Sequence, residues 1–402
     1  MERHTLHGGA SLEPRKRFTN RRRARRRNPL AAIAGVYNAR VSSPIRPMRV
    51  LAKASVVFLA FEVALTALPL RFGAWSSFDI LRLQRERFPL STLPSVDDAL
   101  DVGNLDAMFA AHVVSQPKQA NEFRVLVLGD SAAWGLRLSS SQTLASQLNG
   151  LDLACGSNSV RFYDLSFPRP SASKDLMILD KAVAYQPDLI VWFITWYTLM
   201  PKARDDHWLI TQNPAEFAKL AARFGFLPKD YRAPSLPELI VRQNSGLFRV
   251  ARFQLYPIIE LATGSDQILG KPANLPPELS PDETFEGLKP PILRQKQVSL
   301  DQVEDFFKLA GRVPVILINE PMLIVQGLPN SDVRYNNYYP RWVYDQYRKH
   351  VQDAATENAW NYLDLWAAMP AQYFEDTPLH LTPAGQKLFA QSLAPEILKQ
   401  CR

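Results

Sequence analysis

Two short segments hold the residue types that chemistry needs. The apolar run Val125-Leu126-Val127-Leu128 ends in Gly129-Asp130-Ser131, and a helix-like segment, Gln142 to Leu148, follows. A strand ending there sets the Ser131 hydroxyl at the carboxyl edge of a sheet, where open α/β sheets place their reactions. Backbone N–H groups at such an edge can receive developing negative charge. A free serine hydroxyl is a weak nucleophile at neutral pH and needs a base within hydrogen-bond reach. Asp376-Thr377-Pro378-Leu379-His380 supplies an imidazole and a carboxylate. Of the six histidines, His380 is the expected base, and Asp376 is expected to orient it, with Glu375 as the competing carboxylate.

These two segments resemble the first and last blocks of the SGNH/GDSL hydrolase superfamily. Its first block is a strand followed by Gly-Asp-Ser, matched by Gly129-Asp130-Ser131. Its last is Asp-x-x-His followed by a helix, matched by Asp376 to His380 and the helix beyond Pro383. Three departures stand out. Asp376 lies four residues before His380, where the family has three. The second block supplies a glycine to the oxyanion hole, and Asp164-Leu165-Ser166-Phe167-Pro168-Arg169-Pro170-Ser171 has none. The third block supplies Gly-x-Asn, where the run Leu189 to Ile194 ends in Thr195-Trp196-Tyr197. The resemblance spans residues 122–398. It implies a serine-dependent esterase or O-acyltransferase with no cofactor and no metal, acting on an ester-bearing small molecule, glycan or lipid.

The oxyanion donors stay open at this stage. The Ser131 N–H is one, and Thr195 and Asn319, each closing a strand, are candidate side-chain donors. Asn319-Glu320-Pro321 also resembles the acid/base motif of retaining glycosidases built on (β/α)₈ barrels, with Asp364 as the nearest second carboxylate. Only about five strand–helix units are legible, so Asn319 and Glu320 are read as lining the cleft. Asp332, Arg334, Tyr335, Asn336, Tyr339 and Arg341 form a polar-aromatic loop suited to a sugar or a carboxylate, or simply to its own support. A non-catalytic binding protein of the same fold is the alternative.

The elements that must position these groups alternate. Strands are predicted at Arg124–Leu128, Val160–Leu165, Leu189–Ile194, Val313–Ile318 and Tyr362–Leu365. Helices are predicted at Ser141–Leu148, Ser173–Ala184, Leu300–Ala310, Trp342–Thr356 and Ala384–Lys399. That alternation predicts a three-layer α/β/α, flavodoxin-like domain over residues 122–402 with about five parallel strands. Residues 198–312 exceed what such a domain needs and read as a largely helical lid, whose Leu247 to Tyr256 run could line an acyl pocket or be the lid's own core.

Charge is unevenly spread. Residues 1–49 carry 13 Lys and Arg against 2 acidic residues, and the remainder 34 against 37. The basic arm, residues 1–48, precedes the 17-residue apolar run from Ala54 to Leu70. This predicts a transmembrane anchor over 49–72 with Glu62 as its costly member, a cytoplasmic N-terminus, an extracytoplasmic catalytic domain, and a linker over 73–121. The arm is assigned to lipid rather than nucleic acid. The two cysteines, Cys155 and Cys401, fit no metal-ligand spacing. A bridge between them is an option, with two unpaired thiols the favoured reading.

Overall fold

The computed structural model describes residues 46–67, 84–88, 105–203, 207–226, 235, 237–238, 278–375 and 377–401. The chain divides into two units, Met1–Phe61 and Glu62–Arg402. The boundary falls inside α1, Pro47–Ala67. Among the described residues no helix is long and apolar enough to cross a membrane. The anchor expected over 49–72 is therefore not found. Arg49, Lys53 and Glu62 interrupt the apolar character of α1, and 68–72 lie outside the described residues.

In the second unit the strands are β1 (Glu122–Leu128), β2 (Ala154–Cys155), β3 (Asn158–Asp164), β4 (Leu189–Ile194), β5 (Val315–Asn319) and β6 (Asn361–Asp364). They form one sheet in the order β2-β3-β1-β4-β5-β6. The five longer strands are parallel, and only β2 runs antiparallel, against β3. The helices of this unit are α2 (Leu105–Ala110), α3 (Ser131–Trp134), α4 (Leu144–Asn149), α5 (Ala172–Ala182), α6 (Trp208–Gln212), α7 (Pro214–Phe224), α8 (Leu300–Ala310), α9 (Arg341–Glu357) and α10 (Pro383–Leu398).

The strands read as continuous apolar runs because both faces are covered. On β1 and β4 the alternation is strict. Leu126, Leu128, Ile190, Trp192 and Ile194 enter one core with α5, α8 and α9. Val125, Val127, Leu189, Val191 and Phe193 enter the other with α4 and α10. Trp192 stacks on Phe306 of α8 with ring centroids 3.7 Å apart. Each fully buried large side chain of this kind stabilises the fold by roughly 1.5–3 kcal/mol.

Three features differ from the sequence reading. The helix expected over Ser141–Leu148 is a 3₁₀ turn, Ser140–Gln142, and then α4. Thr143 divides them by accepting the Ser146 N–H. A four-residue helix, α3, starts directly at Ser131. The two cysteines, favoured as free thiols, form a disulfide between β2 and the residues after α10. Of the expected lid, the described parts include α6 and α7, while residues 247–256 lie outside the described residues.

Residues before 122 belong to the same core. Phe88, Leu105, Met108, Phe109 and Val114 pack with the strand residues. Arg87 lies buried 4.0 Å over the Trp134 ring. Its guanidinium donates to the carbonyls of Trp134 (2.9 Å), Gly135 (2.8 Å) and Leu138 (2.6 Å), fastening the loop after α3.

Candidate active site

All five parallel strands deliver their carboxyl ends to one edge, and Ser131 stands there after β1. The turn into α3 is tight. A Cβ on Gly129 would lie 2.9 Å from that of Ala133 and 3.0 Å from that of Phe193, so only glycine fits. Asp130 is buried and caps α3 by accepting the Ala132 N–H at 2.8 Å. It thereby supports the backbone turn that carries Ser131. Ser131 is the first residue of α3, and its own N–H has no acceptor among the described residues.

His380 comes from the loop between β6 and α10. Phe374 and Leu381 pair across the loop's base. Thr377 Oγ1 accepts from the backbone N–H of Leu379 and His380, and the His380 carbonyl accepts from Glu375 N–H. Thr382 caps α10 and Pro383 opens it. Gln386 of α10 donates to the Ala132 carbonyl at 3.3 Å, tying α10 to α3. The result is a 3.0 Å contact between His380 Nε2 and Ser131 Oγ. Burial lowers the His380 pKa to about 4, with Asp130 opposing that shift, Arg137 adding to it and Glu375 opposing it. The imidazole is therefore neutral at neutral pH, the form that accepts a proton. Asp376, the expected orienting carboxylate, lies outside the described residues.

The remaining sequence candidates are engaged elsewhere. Thr195 is buried, with its hydroxyl 2.8 Å from that of Tyr339. Asn319 donates to Asp364 at 2.8 Å and accepts from Tyr344 and Tyr347, bracing β5 and β6 against α9. Asp364 is itself held by both Arg348 Nε and Nη2, at 2.9 and 2.6 Å. Glu320 is buried, and its Oε1 has no hydrogen-bond partner. Burial and then the nearby Asp130 raise its pKa well above the usual carboxylate range. With Ala132, Leu379 and Gln386 it lines a cavity of about 20 Å³, roughly the space of one water molecule. In the polar-aromatic loop, Arg334 donates to the carbonyls of Asp282, Asn336, Asn337 and Tyr338, and thus supports the loop itself. Among the described residues no three His, Cys, Asp or Glu side chains come together as metal ligands.

Two residues outside the sequence reading hold the second wall of the site. Lys174 of α5 is wholly buried. Its ammonium donates to the carbonyls of Gly129 (2.7 Å) and Phe167 (2.6 Å) and pairs with Asp175 at 3.0 Å. His207 donates to the Pro168 carbonyl. Lys174 left a readable signal, a cation on the apolar face of a helix one turn before Ile178. His207, beside two aspartates and a tryptophan, left none.

No protein-family model matches this chain, and no curated protein matches it. Among solved structures, one that is similar is the lipase/acylhydrolase from Enterococcus faecalis, at 15% identity and a TM-score of 0.37, covering 69% of this chain and 96% of that one. Another is a carbohydrate acetylesterase family member from Sinorhizobium meliloti, at 13% identity and a TM-score of 0.31, covering 69% and 98%. A third is the native M. smegmatis aryl esterase, at 11% identity and a TM-score of 0.33, covering 69% and 99%. At these values the chemistry of the site rests on its own geometry.

Proposed function

We propose that this protein is a serine-dependent esterase or O-acyltransferase. The carrying observation is the 3.0 Å contact between Ser131 Oγ and a buried, neutral His380 at the carboxyl edge of the sheet. Ser131 Oγ attacks the acyl carbon while His380 Nε2 takes its proton. Collapse of the oxyanion breaks the ester C–O bond, and the imidazolium returns the proton to the leaving alkoxide. Water or an acceptor hydroxyl then attacks the acyl-serine, His380 takes that proton, and Ser131 is released with it.

The glycosidase reading loses support, because the Arg348 ion pair already holds Asp364 and the sheet is open. We place the domain outside the cytoplasm and beside a membrane, acting on a glycan or lipid ester. The Cys155–Cys401 disulfide favours an oxidising compartment. The exposed Val56, Val57, Phe58, Leu59 and Phe61 of α1, preceded by the basic arm, favour a lipid surface. The test is fluorophosphonate labelling of the full chain beside Ser131→Ala and His380→Ala. Labelling that vanishes in both variants is expected. An unlabelled, folded wild type would favour the non-catalytic binding protein.

A further inference from the structure

The loop after β3 continues the sheet's ladder past the end of β1. Leu165 N–H donates to the Val127 carbonyl at 2.8 Å, and Phe167 N–H to the Gly129 carbonyl at 3.0 Å. In a parallel ladder the next rung, two residues on, pairs Arg169 N–H with the Ser131 carbonyl. That rung is missing. The chain has turned into α3, and the Ser131 carbonyl accepts instead from Gly135 and Leu136. Arg169 N–H, two residues beyond the last rung, is thus left without a hydrogen-bond partner among the described residues. Its backbone is held in the left-handed region at φ 68°, a conformation that costs an arginine energy.

What holds it there lies on the other side of the peptide. His207, in the segment inserted after β4, approaches the Pro168 carbonyl with Nε2 at 3.0 Å. The tautomer is fixed, because Nδ1 accepts the Leu209 N–H at 3.1 Å and so Nε2 carries the proton. The ring is buried and packs edge-on against Phe167 at 6.0 Å. In a trans peptide the N–H points opposite to the carbonyl. A histidine gripping the Pro168 carbonyl therefore turns the Arg169 N–H away from itself.

We propose that His207 is a positioning residue for acyl transfer. By holding the Pro168 carbonyl, it aims the Arg169 N–H into the oxyanion position beside Ser131. The inference rests on the serine chemistry proposed above. It gives the inserted segment a part in the reaction, although none of its side chains needs to touch the acyl group.

The test is the saturation kinetics of fluorophosphonate labelling on the full chain, comparing wild type, His207→Asn and His207→Gln. Asparagine can still cap α6 in place of Nδ1 but is too short to reach the Pro168 carbonyl. The expected result for His207→Asn is a maximal labelling rate about 10- to 100-fold lower. The half-saturating probe concentration and the urea midpoint should stay near wild type. His207→Gln, whose amide can still donate to that carbonyl, should recover part of the rate. Wild-type labelling rates in His207→Asn would overturn the positioning role and leave the serine chemistry intact. A rate loss that only tracks loss of the urea midpoint would also overturn it, since the role would then be structural. A wild type that does not label would overturn both proposals.

Discussion

The two walls of the site are held by different means. On the His380 side, a loop of eight residues is closed by its own backbone pair and its own Thr377, then capped into α10 by Thr382. On the Arg169 side, the loop after β3 is held by Lys174 from the next helix and by His207 from an inserted segment, each gripping a backbone carbonyl. The first wall is self-contained. The second depends on side chains that reach it from elsewhere. Local sequence therefore specifies the placement of His380, while the Arg169 side depends on its distant supports.

Breaking the first wall should have the largest effect. His380→Ala removes the proposed base outright, and the rate should fall by about 10⁴-fold or more, read as fluorophosphonate labelling. A smaller loss would mean that another group takes the serine proton.

Breaking the second wall at Lys174 should affect stability and rate together. Lys174→Met leaves Asp175 without its cation and frees the Gly129 and Phe167 carbonyls. A loss of about 3–5 kcal/mol is expected in urea denaturation, as for a buried ion pair deprived of one partner. Slower labelling should accompany it, and unchanged stability would show that the ammonium is not the fastener described.

Thr195→Val sharpens the contrast by asking whether the strand β4 end belongs to either wall. The buried Tyr339 hydroxyl would lose its partner at 2.8 Å, costing about 1–3 kcal/mol. The labelling rate should stay within about threefold of wild type. A fall of about 10²-fold or more would make Thr195 an oxyanion donor after all.

The pH profile gives the smallest effect. With the His380 pKa lowered to about 4, the imidazole stays free base well into acid. Labelling should be level from about pH 8 down to about pH 5 and decline as pH falls further. A decline centred near about pH 6.5 would indicate an imidazole with its ordinary solution pKa.

The same contrast governs what could be read beforehand. Ser131 and His380 were legible because each sits in a short segment whose neighbours define its geometry, a buried strand before one and a capped helix after the other. The parallel core was legible because strands covered on both faces become unbroken apolar runs, as in Leu189–Ile194. Lys174 was readable as a cation on an apolar helix face, but the carbonyls that it and His207 hold lie 7 and 39 positions away, a relation that composition and periodicity do not encode. The disulfide stood only as the less favoured option for a similar reason. Its cysteines are 246 positions apart, and one lies on a two-residue strand too short to leave a pattern. Thr195 and Asn319 are suitable donor types at suitable strand ends, but the Thr195 hydroxyl meets that of Tyr339 and the Asn319 amide donates to Asp364.

The Arg87 clamp also bears on the order in which the chain is made. Arg87 precedes the Leu138 carbonyl it binds by 51 positions, whereas Ser131 precedes His380 by 249. Synthesis runs from the N-terminus, so the residues that shape the Ser131 loop emerge close together. The base emerges long afterwards. A chain released before His380 is added would carry Ser131 without the imidazole proposed to take its proton. Under the serine chemistry proposed above, such a chain would be silent toward esters.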